Sequence, residues 1–353
     1  MTVFVGYAKV GDRRYREDLG LDFEQFAPGQ RFRHRPGLTV SQQDNKDAAL
    51  DTLNAAMLHY DAAYAARTEW GRNLFVSTLT LAVVTGMTSK TFGKRARRLG
   101  FDSIAMTRPV YGGDTLYAES EITATEDAPD MPDAGVVRVT TTGLNERSES
   151  VCTLSGVLLV WRAGRDPLAP SGAGRAALAG EARFASHRLT DDGAWIEQVG
   201  LDWEDLEPGE TFEHRPGKTL TIEESVRHTL RSLELAPGLT DHHANRRLHG
   251  SRLALSETYV LGALTALTTK TLGRVVANLE WTDVRFPAST FDGDTLYADT
   301  TILDKRPSRG RPTQGIVRVA TRGVTQEGAL VCSYTRTLLV YLRGQGPYAE
   351  AGY

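Results

Sequence analysis

The chain has 353 residues, 41% of them hydrophobic and 24% charged, with a net charge of -3. Those proportions describe a soluble globular protein long enough for two domains, each with its own core. The near-neutral balance, with no basic stripe interleaved with aromatics, excludes a nucleic-acid binder; the lack of a leader or of an apolar run of about 18 residues sets the expectation of a cytoplasmic chain with no membrane partner.

The predicted elements come in chain order as follows. A Pro28-Gly29 turn precedes a strand over residues 30–40, and a helical region is expected over residues 41–66. An apolar helix follows from Val76 to Met87; it is apolar on nearly every face, which predicts burial all round. Gly93 stands where a helix C-terminus favours a residue with positive φ. Strands are expected over residues 115–124, 135–142 and 151–162, with Val137-Arg138-Val139 alternating as in a sheet with one solvated face. Cys152 lies in an apolar run and reads as a small buried hydrophobe. Residues 163–182 are rich in Ala, Gly and Pro and read as a linker.

The whole series then recurs at an offset of 180 residues without a gap. Gly20-Leu21-Asp22-Phe23-Glu24 returns as Gly200-Leu201-Asp202-Trp203-Glu204, His34-Arg35-Pro36-Gly37 as His214-Arg215-Pro216-Gly217, and Gly113-Asp114-Thr115-Leu116 as Gly293-Asp294-Thr295-Leu296. Two long copies in register mean a fused pseudo-dimer, not a solenoid of short repeats. The expected domains are residues 1–162 and 183–353, joined by the linker at 163–182. A strand, a buried helix and several antiparallel strands describe an α+β unit, a curved sheet wrapped around one long helix. Two such units side by side would make one continuous sheet.

That order, with Gly-Asp-Thr-Leu opening a strand, resembles the hotdog fold. Three segments narrow the resemblance: Pro109-Val110-Tyr111-Gly112-Gly113-Asp114-Thr115-Leu116, its copy ending Phe291-Asp292-Gly293-Asp294-Thr295-Leu296, and Asn54-Ala55-Ala56-Met57-Leu58-His59-Tyr60-Asp61. They are similar to the tandem (double) hotdog, MaoC-like enoyl-CoA hydratases and dehydratases, most of all the mesaconyl-CoA hydratase (methylmalyl-CoA dehydratase) type. The resemblance implies a hydro-lyase that adds or removes water across the α,β bond of an acyl thioester, carried on CoA or on an acyl-carrier protein. It implies no further cofactor and no metal, and hotdog surfaces often pair again, so a homo-oligomer is expected.

R-specific hydratases of this family place an Asp and a His, four residues between them, on one water. Here Asn54 and His59 hold those places. An amide exchanges no proton at neutral pH, so Asn54 is left to orient the water or the imidazole; His59 carries the acid–base role alone. The second-half counterparts are Glu234 and Leu239, and Leu239 transfers no proton. One site is therefore expected, in the first half, with His59 facing a cleft where the halves meet and the second half walling the pocket. The family polarises the thioester carbonyl with backbone N–H groups at the start of the buried helix, here Val76, Ser77 and Thr78.

Bland readings stand beside these. His59 could be a partly buried structural histidine, and Ser77 or Thr78 a helix N-cap. His34 and His214, Lys90 and Lys270, and Arg138 and Arg318 recur in both halves and so point to structure, as do Asp61 and Asp241. His228, His242, His243 and His249 complete no recognised metal-ligand pattern. Two rival functions are hotdog thioesterase chemistry with Glu257, the counterpart of Ser77, and a non-catalytic acyl-thioester-binding protein.

Overall fold

The computed structural model describes residues 4–169, 174–348 and 350–353. Turn chemistry starts its strands. Gly113 takes φ 103° and Gly293 φ 85°, while the Asp114 and Asp294 carboxylates accept the N–H of Tyr111 (3.0 Å) and Phe291 (2.9 Å). Leu116 and Leu296 then enter the core with no exposure. The shared Gly-Asp-Thr-Leu segment thus serves the fold.

The first half contains β1 (Tyr7–Gly11), β2 (Arg14–Glu17), β3 (Arg31–Thr39), α1 (Gln42–Asp51), α2 (Ala62–Ala65), α3 (Ser77–Met87), β4 (Arg95–Met106), β5 (Thr115–Asp127), β6 (Ala134–Leu144) and β7 (Ser150–Trp161). The second contains β8 (His187–Leu189), β9 (Trp195–Glu197), β10 (Thr211–Thr219), α4 (Ile222–Arg231), α5 (Pro237–Thr240), α6 (His242–His249), α7 (Glu257–Leu267), β11 (Val275–Arg285), β12 (Thr295–Pro307), β13 (Gln314–Val324) and β14 (Leu330–Tyr341). The architecture is a tandem hotdog, each half a curved, mostly antiparallel sheet packed on its long helix.

Two seven-stranded sheets form, in the orders β4-β7-β6-β5-β3-β9-β8 and β1-β2-β10-β12-β13-β14-β11. The expected single continuous sheet is replaced by an exchange. The β8–β9 hairpin joins the first-half sheet parallel to β3, and β1–β2 joins the second-half sheet parallel to β10. The reason lies in two carboxylates. His34 and His214 are fully buried, and each Nδ1 meets a glutamate of the visiting hairpin at 3.0 Å, Glu197 and Glu17 respectively. The same glutamates accept the N–H of Arg35 (3.1 Å) and Arg215 (2.9 Å). Leaving such a buried group unpaired costs about 1–3 kcal/mol, so each half needs the other's hairpin. The repeated histidines are structural.

This network makes stability depend on pH. His187 is 2% exposed and its Nε2 lies 3.0 Å from the Thr91 hydroxyl. Burial pushes its imidazole down to about 3, whereas an unfolded histidine takes a proton near about 6.5. Between those values the unfolded chain binds the extra proton, so stability is full above about 6.5 and falls with pH by up to about 1.4 kcal/mol per unit. Burial pushes Glu197 up, but the facing His34 and Lys90 outweigh it and hold the carboxyl below its ordinary range, which adds the same sign of dependence at lower pH. Urea midpoints measured from pH 7 to 5 should fall for the wild type and fall less steeply for His187→Gln. A flat wild-type profile would refute the coupling.

Three expectations are corrected here. The long helices are not buried all round: α3 buries Thr80 and Val84 against its sheet but exposes Thr78, Ala82 and Gly86. Four-residue spacing puts those small side chains on one face, away from a sheet that wraps one side only. Gly93 does not take positive φ; its Cβ would meet the Ser89 carbonyl at 2.7 Å, so it is there to let the Gly20 turn cross closely. The helical region at 41–66 is broken after α1 by Leu53 at φ 56°. The second half of the linker packs against the fold: Leu178 is 1% exposed and Arg175 donates to the Val5 and Gly20 carbonyls. Residues 170–173 of that segment lie outside the described residues. Cys152 and Cys332 are free and buried. No helix among the described residues is long and apolar enough to cross a membrane.

Candidate active site

A buried amide gathers the predicted residues. Asn45, on α1 and 0% exposed, donates through Nδ2 to the carbonyls of His59 (3.1 Å) and Leu74 (3.0 Å) and accepts the Val76 N–H at 2.7 Å. Gln42, one turn earlier, also donates to the His59 carbonyl at 2.7 Å. The segment carrying His59 is thereby fastened to the start of α3.

The His59 ring is half-buried, and its Nδ1 lies 2.8 Å from the Leu74 carbonyl. A carbonyl only accepts, so Nδ1 carries the hydrogen, and in the neutral ring the lone pair resides on Nε2. Nε2 has no hydrogen-bond partner among the described residues. Asn54 sits in the loop between α1 and this segment; its Oδ1 accepts the Ala56 N–H at 3.0 Å. No hydrogen bond joins Asn54 to His59.

At the start of α3, Val76 is the N-cap residue and no side chain caps the helix. Its N–H is already donated to Asn45, so Val76 drops out of the three expected carbonyl-polarising donors. Ser77 and Thr78 are exposed, and their N–H groups have no acceptor among the described residues. They form an anion-attracting pair at the positive end of the helix dipole. Neither acts as the N-cap.

The equivalent place in the second half is closed. Ser256 stands at Val76's position and caps α7 by accepting the Tyr259 N–H at 3.4 Å. Its hydroxyl also meets that of Thr258 (2.9 Å), which in turn meets His228 Nε2 (3.1 Å). Glu257 puts a carboxylate in the first turn, where it opposes any further anion, and no basic side chain hydrogen-bonds to it. Ser225 replaces Asn45 and donates nothing to a histidine segment; its hydroxyl accepts the Ser256 N–H. Asp61 and Asp241 cap α2 and α6. Among the described residues no group of three or more His, Cys, Asp or Glu is placed to hold a metal.

One expectation fails. The halves meet at a cleft of about 560 Å³ lined by Glu17, Arg35, Lys90, Glu197, Arg215 and Lys270 among others, and His59 does not reach it. The imidazole instead lies beside the start of α3 within its own half, because Asn45 and Gln42 hold its backbone there. Asn45 was missed by sequence reasoning. The signal was present: the amide at position 45 and the imidazole at position 59 are lost together in the second copy, where Ser225 and Leu239 stand.

Comparison with known proteins agrees in extent with the duplication. The family model described as mesaconyl-CoA hydratase matches residues 3–198 and again 186–347. The mesaconyl-CoA hydratase of Haloarcula marismortui is 25% identical over 341 residues, covering 93% of each chain. That of Cereibacter sphaeroides is 32% identical over 159 residues, 43% of this chain and 45% of the relative. Among solved structures, a MaoC domain protein from Chloroflexus aurantiacus is 24% identical, covers 92% of this chain and 98% of its own, and superposes with a TM-score of 0.40.

Proposed function

The chain belongs to the mesaconyl-CoA hydratase family, and from that premise we propose that it is a hydro-lyase that adds water to an α,β-unsaturated acyl-CoA such as mesaconyl-CoA, or removes water from the corresponding β-hydroxyacyl-CoA to form it. In the hydration direction, His59 Nε2 takes a proton from water as the oxygen bonds to the β-carbon. The π-electrons move to the carbonyl oxygen, and the enolate so formed is held by the N–H groups of Ser77 and Thr78. The protonated imidazole, still donating from Nδ1 to Leu74, returns a proton to the α-carbon. Dehydration is the reverse. Asn54 orients the water through its Nδ2 hydrogens, its Oδ1 being engaged by Ala56.

The observation that carries this reading is the coincidence of a free Nε2 with an uncapped helix start, tied together by Asn45 in one half only. Loss of conjugated-thioester absorbance from mesaconyl-CoA or crotonyl-CoA tests it. Release of CoA thiol dependent on Glu257 would instead indicate thioester hydrolysis, and CoA binding without turnover a non-catalytic binder. Asn54→Asp keeps the acceptor for Ala56 and replaces the Nδ2 donor with an oxygen that accepts a hydrogen of the same water, so it still orients the water and hydration should persist within about threefold or rise. Complete loss would contradict an orienting role.

A further inference from the structure

We propose that the cleft between the halves is a phosphate-binding site, in which the ammonium groups of Lys90 and Lys270 clasp a phosphoryl dianion across the pseudo-two-fold axis. Both lysines line the cleft, one from each half, at the foot of the two long helices. Each gives only one of its three hydrogens to the protein. Lys90 donates to the Gln198 carbonyl and Lys270 to the Arg215 carbonyl at 2.7 Å. Neither forms an ion pair among the described residues.

Two more cations face the same space. Arg35 stacks 4.9 Å over Tyr117 and Arg215 4.6 Å over Tyr297, each donating to the carbonyl of the preceding histidine. Arg215 also lies 3.7 Å from Glu213, a carboxylate already paired with Arg14 and Arg16. The carboxylates of the lining are all committed elsewhere. Glu17 serves His214, Arg215 N–H and Thr271, and Glu197 serves His34, Arg35 N–H and Thr91. Asp18 is paired with Lys94 and Arg175. Glu17 and Glu197 face the lysines across the cleft, but their oxygens are taken by these other donors and neither makes a direct ion pair with Lys90 or Lys270, whose remaining hydrogens stay open to a ligand. Burial depresses both lysines and the facing carboxylates, Glu197 and Glu17 for Lys90 and Glu17 for Lys270, offset only part of it; Lys90 also depresses Lys270, a repulsion that a dianion between them would relieve. A volume of about 560 Å³ admits an organic phosphate with an apolar body against Leu19, Met87 and Leu201.

The phosphoryl group could be free phosphate or belong to CoA; the second case rests on the function proposed above. Titration calorimetry of the full chain with inorganic phosphate, CoA and pantetheine separates the two. Phosphate and CoA should bind, and Lys90→Met with Lys270→Met should weaken both at least tenfold. Lys90→Arg with Lys270→Arg should restore binding to within a few-fold, which sets the charge apart from any general damage to the fold. CoA binding tenfold or more tightly than phosphate assigns the group to CoA; similar affinities assign it to free phosphate. Equal binding by wild type and the methionine pair, or no binding of either ligand at millimolar concentration, overturns the proposal. Hydration of the conjugated thioester is read separately, so failure at His59 leaves this result standing and the reverse.

Discussion

Replacing His59 with alanine is expected to lower kcat for hydration by about a hundred- to ten-thousandfold, the usual contribution of a positioned acid–base group. The protein should fold normally. The Leu74 carbonyl that accepts the Nδ1 hydrogen also accepts from Asn45 at 3.0 Å, so removing the ring leaves no buried acceptor unpaired. His59→Gln sharpens the result. A glutamine amide can still donate to Leu74 but cannot exchange a proton at neutral pH, so it should be nearly as inactive as alanine. The pattern of residual activity adds a second readout: the two variants should be similarly inactive although only the glutamine can donate to Leu74, which separates loss of proton transfer from loss of the hydrogen bond. Turnover within a few-fold of wild type for His59→Ala would remove the imidazole from the reaction.

The repeat made the fold legible wherever one side of an element is buried. The strand at residues 135–142 was readable from the alternation at Val137-Arg138-Val139 and that at 151–162 from its apolar run; with the one at 115–124 they correspond to β6, β7, which ends at Trp161, and β5. β4 and β11 left no such trace. They are edge strands exposed along much of their length, with Leu99, Ile104 and Met106 more than 40% exposed on β4, so no core face imposes a period. The exchanged hairpins β1–β2 and β8–β9 were illegible for another reason. They are short, and what fixes them is a pairing of Glu17 and Glu197 with histidines 197 and 163 residues away. Within the site, spacing pointed to His59 and the apolar pattern to the start of α3. What joins them is one buried amide, Asn45, whose role is set by contacts 14 to 31 residues distant. Local pattern carries no information about such a bridge, and only the loss of both partners from the second copy hints at it.

Proline at position 77 should abolish most turnover without unfolding the protein. Ser77 is the first residue of α3, where a helix has no use for the N–H and proline's fixed φ fits. Val76, which precedes it, already has φ -62° and ψ 126°, an extended conformation that a residue before proline readily takes. Ser77→Pro therefore removes one donor from the open pair and little else. Loss of one such donor costs about a hundred- to a thousandfold in kcat, with a smaller change in KM because the charge it stabilises develops only in the transition state. Ser77→Ala keeps the N–H and should keep the activity, which separates the backbone from the hydroxyl. Wild-type kcat in Ser77→Pro, with the melting temperature unchanged, would mean that the enolate oxygen is stabilised somewhere other than the mouth of α3. Equal damage from Ser77→Ala would shift the role from the N–H to the side chain.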